Sequence, residues 1–446
     1  ISFDAELNGT LNALEVYNLN LESDGKSRSV GDFIFKNLKS SELQPFYMNA
    51  KLKELSSNYK GLKGILPRIL GQKLPSTLSF LGIFSTKGII RMSDQKITID
   101  CDIRTELGEI YADLNLNDIK EIDAASYNGK LQLSEFDLGT FIQNRDVGRI
   151  NTNLIIEGEG FKIDNIRSNI AGTFDGFEYN NYNYQDLEVF GLVENKIFSG
   201  QLKANDKHLI LDFEGLVDFS EKENIYDFSA SVKKADLNAL NFVKRDSLSV
   251  FSGRVDMDMK GTNLDDLYGL LQFKDTRYTN QNDSYFFKDF QVVSTFDSDL
   301  NHTLSVNSPE IIKGTFEGIF KIKQIPLMLE NALAGIYSQV AASEISADQS
   351  LKFNFKVYNK IIEVFYPDLE FGANTFFKGV LDSDPSKFKL TFKSPDIQME
   401  SYFAKKVEIK FDNSNPLFNS YIELDSLSTP YIKANEFSLI NVSLND

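Results

Sequence analysis

The chain has 446 residues, 42% of them hydrophobic, and a formal net charge of −17 from 64 acidic against 47 basic side chains. That is enough apolar chain for two or three domains or for one elongated repetitive one. The acidic balance argues against any nucleic-acid partner, because phosphate backbones are bound by clustered Lys and Arg.

Residues 1–44 read as β-strand repeats, with "GTLNALEV" from Gly9 and "FIFKNL" from Phe33 as the clearest stretches. Ile1 already lies in a strand-like pattern, so a piece of a longer protein is expected. Residues 45–75 read as an amphipathic helical insertion. Leu52, Leu55, Tyr59, Leu62, Ile65 and Leu66 recur at helical spacing from Pro45 to Leu70, with Pro67 interrupting. Lys51, Lys53, Lys60, Lys63, Arg68 and Lys73 outnumber Glu54 there. Such a helix either covers the sheet with its lysines in water, the preferred reading, or touches anionic lipid.

Residues 76–325 read as β-groove repeats. In "KITIDCDIRT", Ile97, Ile99, Cys101 and Ile103 fall on one side of a strand and Thr98, Asp100 and Asp102 on the other. Cys101, the lone cysteine, is then a small apolar strand residue, with no His or basic cluster beside it to activate a thiolate. The alternation returns at Leu154 and Ile156, at Leu209, Leu211 and Phe213, at Val255 and Met257, and at Phe316 and Phe320. Residues 326–340 form a short predicted helix, with Pro326 in its first turn and Leu329, Ala332, Leu333 and Ile336 on one side. Residues 341–446 continue the groove repeats through Phe353 and Phe355 and through "VEIKFD" at Val407.

Turn signals about every 10 to 15 residues imply about 30 strands. Paired in sequence at the ladder spacing, these would make a sheet about 140 Å long. One face is apolar and the other carries Lys, Asp, Glu, Asn and Thr, the mark of antiparallel pairing. Gly200, Gly215, Gly253, Gly261 and Gly314 occupy apolar-face positions and permit sharp bends. The expected fold is therefore mainly β: an elongated, strongly curved antiparallel sheet, a groove of degenerate strand repeats with a few covering helices.

The repetition is internal but irregular. "GTFDGFEY" from Gly172 parallels "GTLNALEV", and "GTFEGIF" from Gly314 echoes both. "FIFKNL", "YNYQDL" at Tyr182 and "YFFKDF" at Tyr285 share one scheme of aromatic, any residue, aromatic, polar, Asn or Asp, apolar. Tyr182 and Tyr184, alternating with Asn181 and Asn183, are expected to be strand residues on one face rather than a recognition surface.

Motifs for chemistry are scarce. His208 and His302 stand far apart, so a His-based metal site is not expected. "DLNLND" (Asp113, Asn115, Asn117) has Asp118 where a calcium loop needs glycine and Ala124 where it needs Glu, so Leu114 and Leu116 mark a strand instead. "GEGF" at Gly158 is incomplete as a dinucleotide fingerprint. No enzyme and no cofactor is expected.

An apolar sheet face must be covered. Either a second sheet packs on it, or it forms a trough for acyl chains. Exposing a 16-carbon tail costs on the order of 13 kcal/mol at about 0.8 kcal/mol per CH₂, which an apolar channel removes.

The stretches "LGEIYADLNL", "YNGKLQLSEFDLGTFI", "FEYNNYNYQDL", "NDSYFFKDFQVVSTF" and "NSPEIIKGTFEGIFKI", spanning most of residues 90–340, resemble the TamB family in its Bacteroidetes-type form. TamB proteins belong with the AsmA-like, bridge-type lipid-transfer proteins. The resemblance implies a periplasmic β-taco groove for phospholipid transport between inner and outer membranes, in support of outer-membrane biogenesis. It also implies an inner-membrane anchor outside this chain and an Omp85-type outer-membrane barrel (TamA- or TamL-like) as partner. It carries no catalytic residues.

The candidate lipid-lining residues are Ile97, Ile99, Ile103, Leu154, Ile156, Leu209, Leu211, Phe213, Val255, Met257, Phe316, Phe320, Phe353 and Phe355. Two other readings stay open: a scaffold that holds nascent outer-membrane strands by β-augmentation, and an extracellular carbohydrate-binding β-sandwich.

Overall fold

The structure, a computed structural model, describes residues 2–23, 27–38, 45–65, 76–119, 125–161, 165–336, 342–358, 368–415 and 417–442. Strands take up 66% of the chain and helical turns 8%, so the fold is mainly β as the alternation implied. Every strand pairing within the two compact units is antiparallel. The first unit comprises residues 1–220 and 233–244, the second residues 221–232 and 245–446.

The first unit begins with β1 (Ser2–Thr10), β2 (Ala13–Ser23), β3 (Ser27–Lys36) and β4 (Tyr47–Asn58). It continues with β5 (Ile83–Ser93), β6 (Lys96–Arg104), β7 (Glu109–Asn117), β8 (Ser126–Asp137) and β9 (Val147–Glu159). Then come β10 (Arg167–Tyr179), the short β11 (Tyr182–Tyr184), β12 (Leu187–Glu194), β13 (Ile197–Asn205) and β14 (Leu209–Asp218). Each strand pairs with its sequence neighbour, except that β10 takes both β11 and β12 on one edge. α1 (Tyr59–Ile65) follows β4, and α2 (Leu138–Ile142) joins β8 to β9 with Asp137 accepting the Thr140 N–H as its N-cap.

The helix expected from Pro45 is corrected: Tyr47–Asn58 is β4, and only Tyr59–Ile65 is helical. The cause is a bulge. Leu52 pairs with Gly88, but Leu55 pairs with Thr86, so one extra residue is accommodated between them. Two apolar-face leucines thus stand three residues apart, which imitates helical spacing. Leu66, Pro67, Arg68 and Lys73 lie outside the described residues, as does Ala124 of the rejected calcium loop.

Bends are built into the ladder in two ways. Gly88 and Gly129 sit at φ 141° and 145°, where a Cβ would meet the Asp100 and Asp113 carbonyl oxygens at 2.1 and 2.0 Å. Only glycine lets the strands approach this way. Asn18 (φ 49°) and Glu135 (φ 47°) occupy bulges. Their freed N–H groups donate to Asp32 Oδ1 (2.9 Å) and Asn151 Oδ1 (2.8 Å) on the adjoining strand. Of the glycines expected to permit bends, Gly215, Gly253 and Gly261 share the positive-φ geometry of Gly88 and Gly129, at 150°, 149° and 139°.

β15 (Ile225–Asp236) contributes its first residues to the second unit and its last to the first. The second unit continues with β16 (Ser249–Lys260), β17 (Tyr268–Asn280), β18 (Ser284–Phe296), β19 (His302–Ser308) and β20 (Ile312–Ile319). After α3 (Ile325–Ala334) come β21 (Ser350–Val357), β22 (Leu369–Phe371), β23 (Thr375–Asp382) and β24 (Lys389–Met399). β25 (Tyr402–Asp412), β26 (Ser420–Ser428) and β27 (Lys433–Asn441) complete it. Again the pairing is sequential, except that β21 pairs with β23 and β22 with β24. Among the described residues no helix is long and apolar enough to cross a membrane.

The predicted helix over 326–340 is present as α3, and of its expected apolar side Ala332, Leu333 and, just beyond the helix, Ile336 join or pack against the core, whereas Leu329 does not. Met328 and Ala332 are buried while Leu329 is exposed. Tyr337 lies outside the described residues.

Candidate functional site

In an antiparallel pair, directly opposed residues point to the same face. Following the registers therefore traces rows of side chains across each unit. In the first unit one row runs Leu52, Gly88, Cys101, Ala112, Leu131, Leu154, Gly172, Val189, Leu202, Phe213. A second runs Ala50, Ile90, Ile99, Leu114, Gly129, Ile156, Ile170 and then three glycines in register, Gly191, Gly200 and Gly215. Ile97 pairs with Met92 and Leu116, Ile103 with Ile110, and Leu211 with Ala204, extending the apolar face on either side. Leu209 shares the parity of Leu211 and Phe213.

In the second unit the corresponding row is Met257, Leu271, Val292, Val306, Gly314, Phe355, Phe377, Phe392, Ile409, Ile422, Leu439. Val255 pairs with Phe273, and Phe316 with Leu304 and Phe353. Phe320 follows β20 on the same parity as Phe316. Within each unit the anticipated residues thus share its apolar face.

How that face is covered differs along the chain. Ile97, Ile99, Ile103, Leu154, Ile156, Leu209, Leu211 and Phe213 are only half-buried, as are Val255, Met257 and Phe316. A second sheet packed face to face would bury such side chains completely. The first unit has a local cluster in which Leu116, Ile119 and Tyr127 are buried against Ile97, Ile99, Leu114, Ile156 and Phe161. Phe198 lies close over Gly191, and its ring sits 6.4 Å from that of Phe213.

Phe320, Phe353 and Phe355 are instead buried. They belong to a packed cluster with Met328, Ala332, Leu351, Leu381 and Phe388 beneath α3. The sequence reading missed Met328 and Phe388 as core residues, and missed Leu131, Val189 and Leu202 as members of the apolar rows. Continuing the same alternation through β8, β12 and β13 finds the latter three.

The opposite face is polar and laddered. Thr98 donates to Asn115 Oδ1 (3.2 Å), and Asn115 donates to Asn128 Oδ1 (3.4 Å). Asp113 and Asn115 therefore belong to the outer face of β7, and the strand reading of "DLNLND" holds. A shallow outward depression lies among Phe190, Leu192, Ser199, Gln201 and Glu214, beside the three aligned glycines.

Titratable groups near the apolar face are structural. Cys101 is 2% exposed, and burial pushes its thiol pKa up. His302 is 2% exposed, stacked between Phe296 and Phe320 at 4.4 and 5.0 Å. Its Nε2 pairs with Ser294 Oγ at 2.7 Å, Nδ1 has no hydrogen-bond partner, and burial lowers its pKa. No group of three or more His, Cys, Asp or Glu side chains among the described residues has the geometry to hold a metal ion.

The tyrosine-rich stretch forms a hairpin return. Tyr182 pairs with Tyr179 and Tyr184 with Phe177, and Tyr182 packs edge-on to Tyr184 at 4.8 Å. Tyr285 likewise opens a returning strand and pairs with Tyr278. Phe33 and Phe35 lie toward the end of β3, so the third copy of the motif differs in placement. No family model, curated protein or solved structure matches the chain.

Proposed function

We propose that this chain is a section of a TamB-like lipid conduit of the cell envelope, in which acyl chains slide along the apolar face while headgroups stay in water. The observation that carries the proposal is a set of half-buried large apolar side chains within the in-register rows of the first unit, among buried members such as Leu52, Cys101 and Val189. Ile99 and Ile156 in one row, and Leu154 and Phe213 in the other, are each only half-buried. Surface of this kind is costly in water and favourable against hydrocarbon, at roughly 25 cal/mol per Å².

Passive transit needs no catalytic group, and transfer from one apolar patch to the next leaves hydrophobic burial nearly constant. On this proposal phospholipid moves between the inner and outer membranes through the periplasm. An anchor in the inner membrane and an Omp85-type barrel would serve as the two ends, as the sequence resemblance implies.

The test is site-specific photocrosslinking. Benzophenone side chains at Ile99, Leu154 and Phe213, in cells of the source organism, are expected to capture phospholipid. Outward positions such as Asn153 should not. Capture of polypeptide alone would favour the outer-membrane-protein scaffold, and capture of nothing at any inward position rejects the conduit.

A further inference from the structure

Part of the apolar face of the second unit is filled from within the chain. α3 joins Phe353 and Phe355 in one buried cluster, with Met328 fully buried and Ala332 1% exposed. The side chains it brings there, from Ile325, Met328, Ala332 and Leu333, are alkyl carbon and one thioether, the same chemistry that an acyl chain presents. Its buried amide, Asn331, turns away to a neighbouring backbone. Asn331 Nδ2 donates to the Ser343 carbonyl (2.7 Å), and Oδ1 accepts the Ser343 N–H (2.6 Å).

The helix has ten residues and no side-chain N-cap hydrogen bond. Helices shorter than about 12 to 15 residues are marginal in water, so α3 depends on the floor beneath it. Its N-terminal attachment is a polar hook. Gln324 Oε1 accepts from Gln349 Nε2 (2.7 Å) and from the Ser346 N–H (3.0 Å), while Gln349 Oε1 accepts the Lys321 N–H (2.8 Å).

We propose that α3 is a built-in competitor for the acyl-binding floor of the second unit: it fills the cluster of Phe353 and Phe355, against which Phe316 packs, when no lipid is present, and yields to acyl chains. The inference rests on the conduit reading. Apolar floor stays covered in both states, so the exchange turns on the hook and on which occupant fits better.

The experiment uses the whole chain with oleic acid as probe. A benzophenone side chain is placed at Leu131, in the first unit, or at Phe316, beside α3, and amide exchange of Ile325–Ala334 is followed in parallel. Leu131 is expected to capture oleate in the otherwise unaltered protein, and Phe316 to capture several-fold less. Gln349→Ala, or independently Gln324→Ala, should raise capture at Phe316 several-fold, and saturating oleate should accelerate exchange across α3. Capture at Leu131 with unchanged exchange in α3, and no gain at Phe316 in either variant, overturns the competitor while leaving the conduit intact. No capture at Leu131 overturns the conduit and, with it, the competitor.

Discussion

Tyr182 donates its hydroxyl hydrogen to Asp206 Oδ1 at 2.6 Å, and the same oxygen accepts the His208 N–H at 2.7 Å. The other oxygen, Oδ2, accepts the Gln185 N–H at 3.0 Å, so one carboxylate ties β11 to the hairpin between β13 and β14. Asp206 is 4% exposed; burial acts to raise its pKa, but the Tyr182 hydroxyl and the backbone donors outweigh it and hold the pKa down. Tyr182→Phe removes one of these donors. The expected outcome is a loss of about 1.5 to 3 kcal/mol, the range for hydrogen bonds to charged groups, read as a lower urea midpoint. Lipid capture at Leu154 should be unchanged, because this hydroxyl is engaged with the protein.

A second expectation concerns the bends. Gly129→Ala places a Cβ 2.0 Å from the Asp113 carbonyl oxygen at a φ of 145°. Neither the steric clash nor the backbone strain is relieved by moving a flexible side chain. A destabilisation above about 2 kcal/mol is expected in denaturant unfolding, since strain at such a backbone position is one of the few sources of large single-site effects. A variant as stable as the parent would show that β7 and β8 do not approach so closely.

Charge on the open face should separate function from folding. Phe213→Asp and Met257→Asp alter half-buried positions. They are expected to cost about 1 to 3 kcal/mol of stability and yet to abolish lipid transit, because an ionised carboxylate in hydrocarbon is far costlier than one at a wet surface. Circular dichroism reads the first effect and a vesicle-to-vesicle transfer assay reads the second. Equal loss of fold and transport would contradict an open path.

His302 gives the chain an acid-sensitive point. Burial lowers its folded-state pKa beneath the unfolded value, which lies near 6.5. The unfolded chain then binds more protons as the solution is acidified. This contribution to stability is complete above about pH 6.5 and declines as pH falls toward the folded pKa. His302→Gln should flatten the pH 6.5 to 5 portion of a melting-temperature profile. A slope of unchanged size would assign the effect to other groups.

Much of this architecture was legible because a strand's period of two survives wherever one face is apolar. Ile97, Ile99 and Ile103, or Leu209, Leu211 and Phe213, needed nothing more to be placed on a common face. The errors arose where a tertiary detail disturbs the period. A bulge between Leu52 and Leu55 produced helical spacing inside a strand. Along α3, Met328 competes with Leu329 to continue the apolar side formed by Ala332, Leu333 and Ile336, and only packing in the cluster with Leu351 and Phe388 selects Met328. Whether an apolar face is left open or filled by its own helix is likewise not written in the strands, since Ile156 and Phe353 obey the same alternation and differ only in what lies over them.

The sequential register of the ladders has an evolutionary consequence. Adding or deleting one complete hairpin restores both the direction of the chain and the inward parity of every strand beyond it, whereas a single strand would reverse the first and a single residue the second. Length can therefore change in units of two strands without redesigning either neighbour. The number of strands in such a sheet is a quantity that duplication and loss can tune in steps of two.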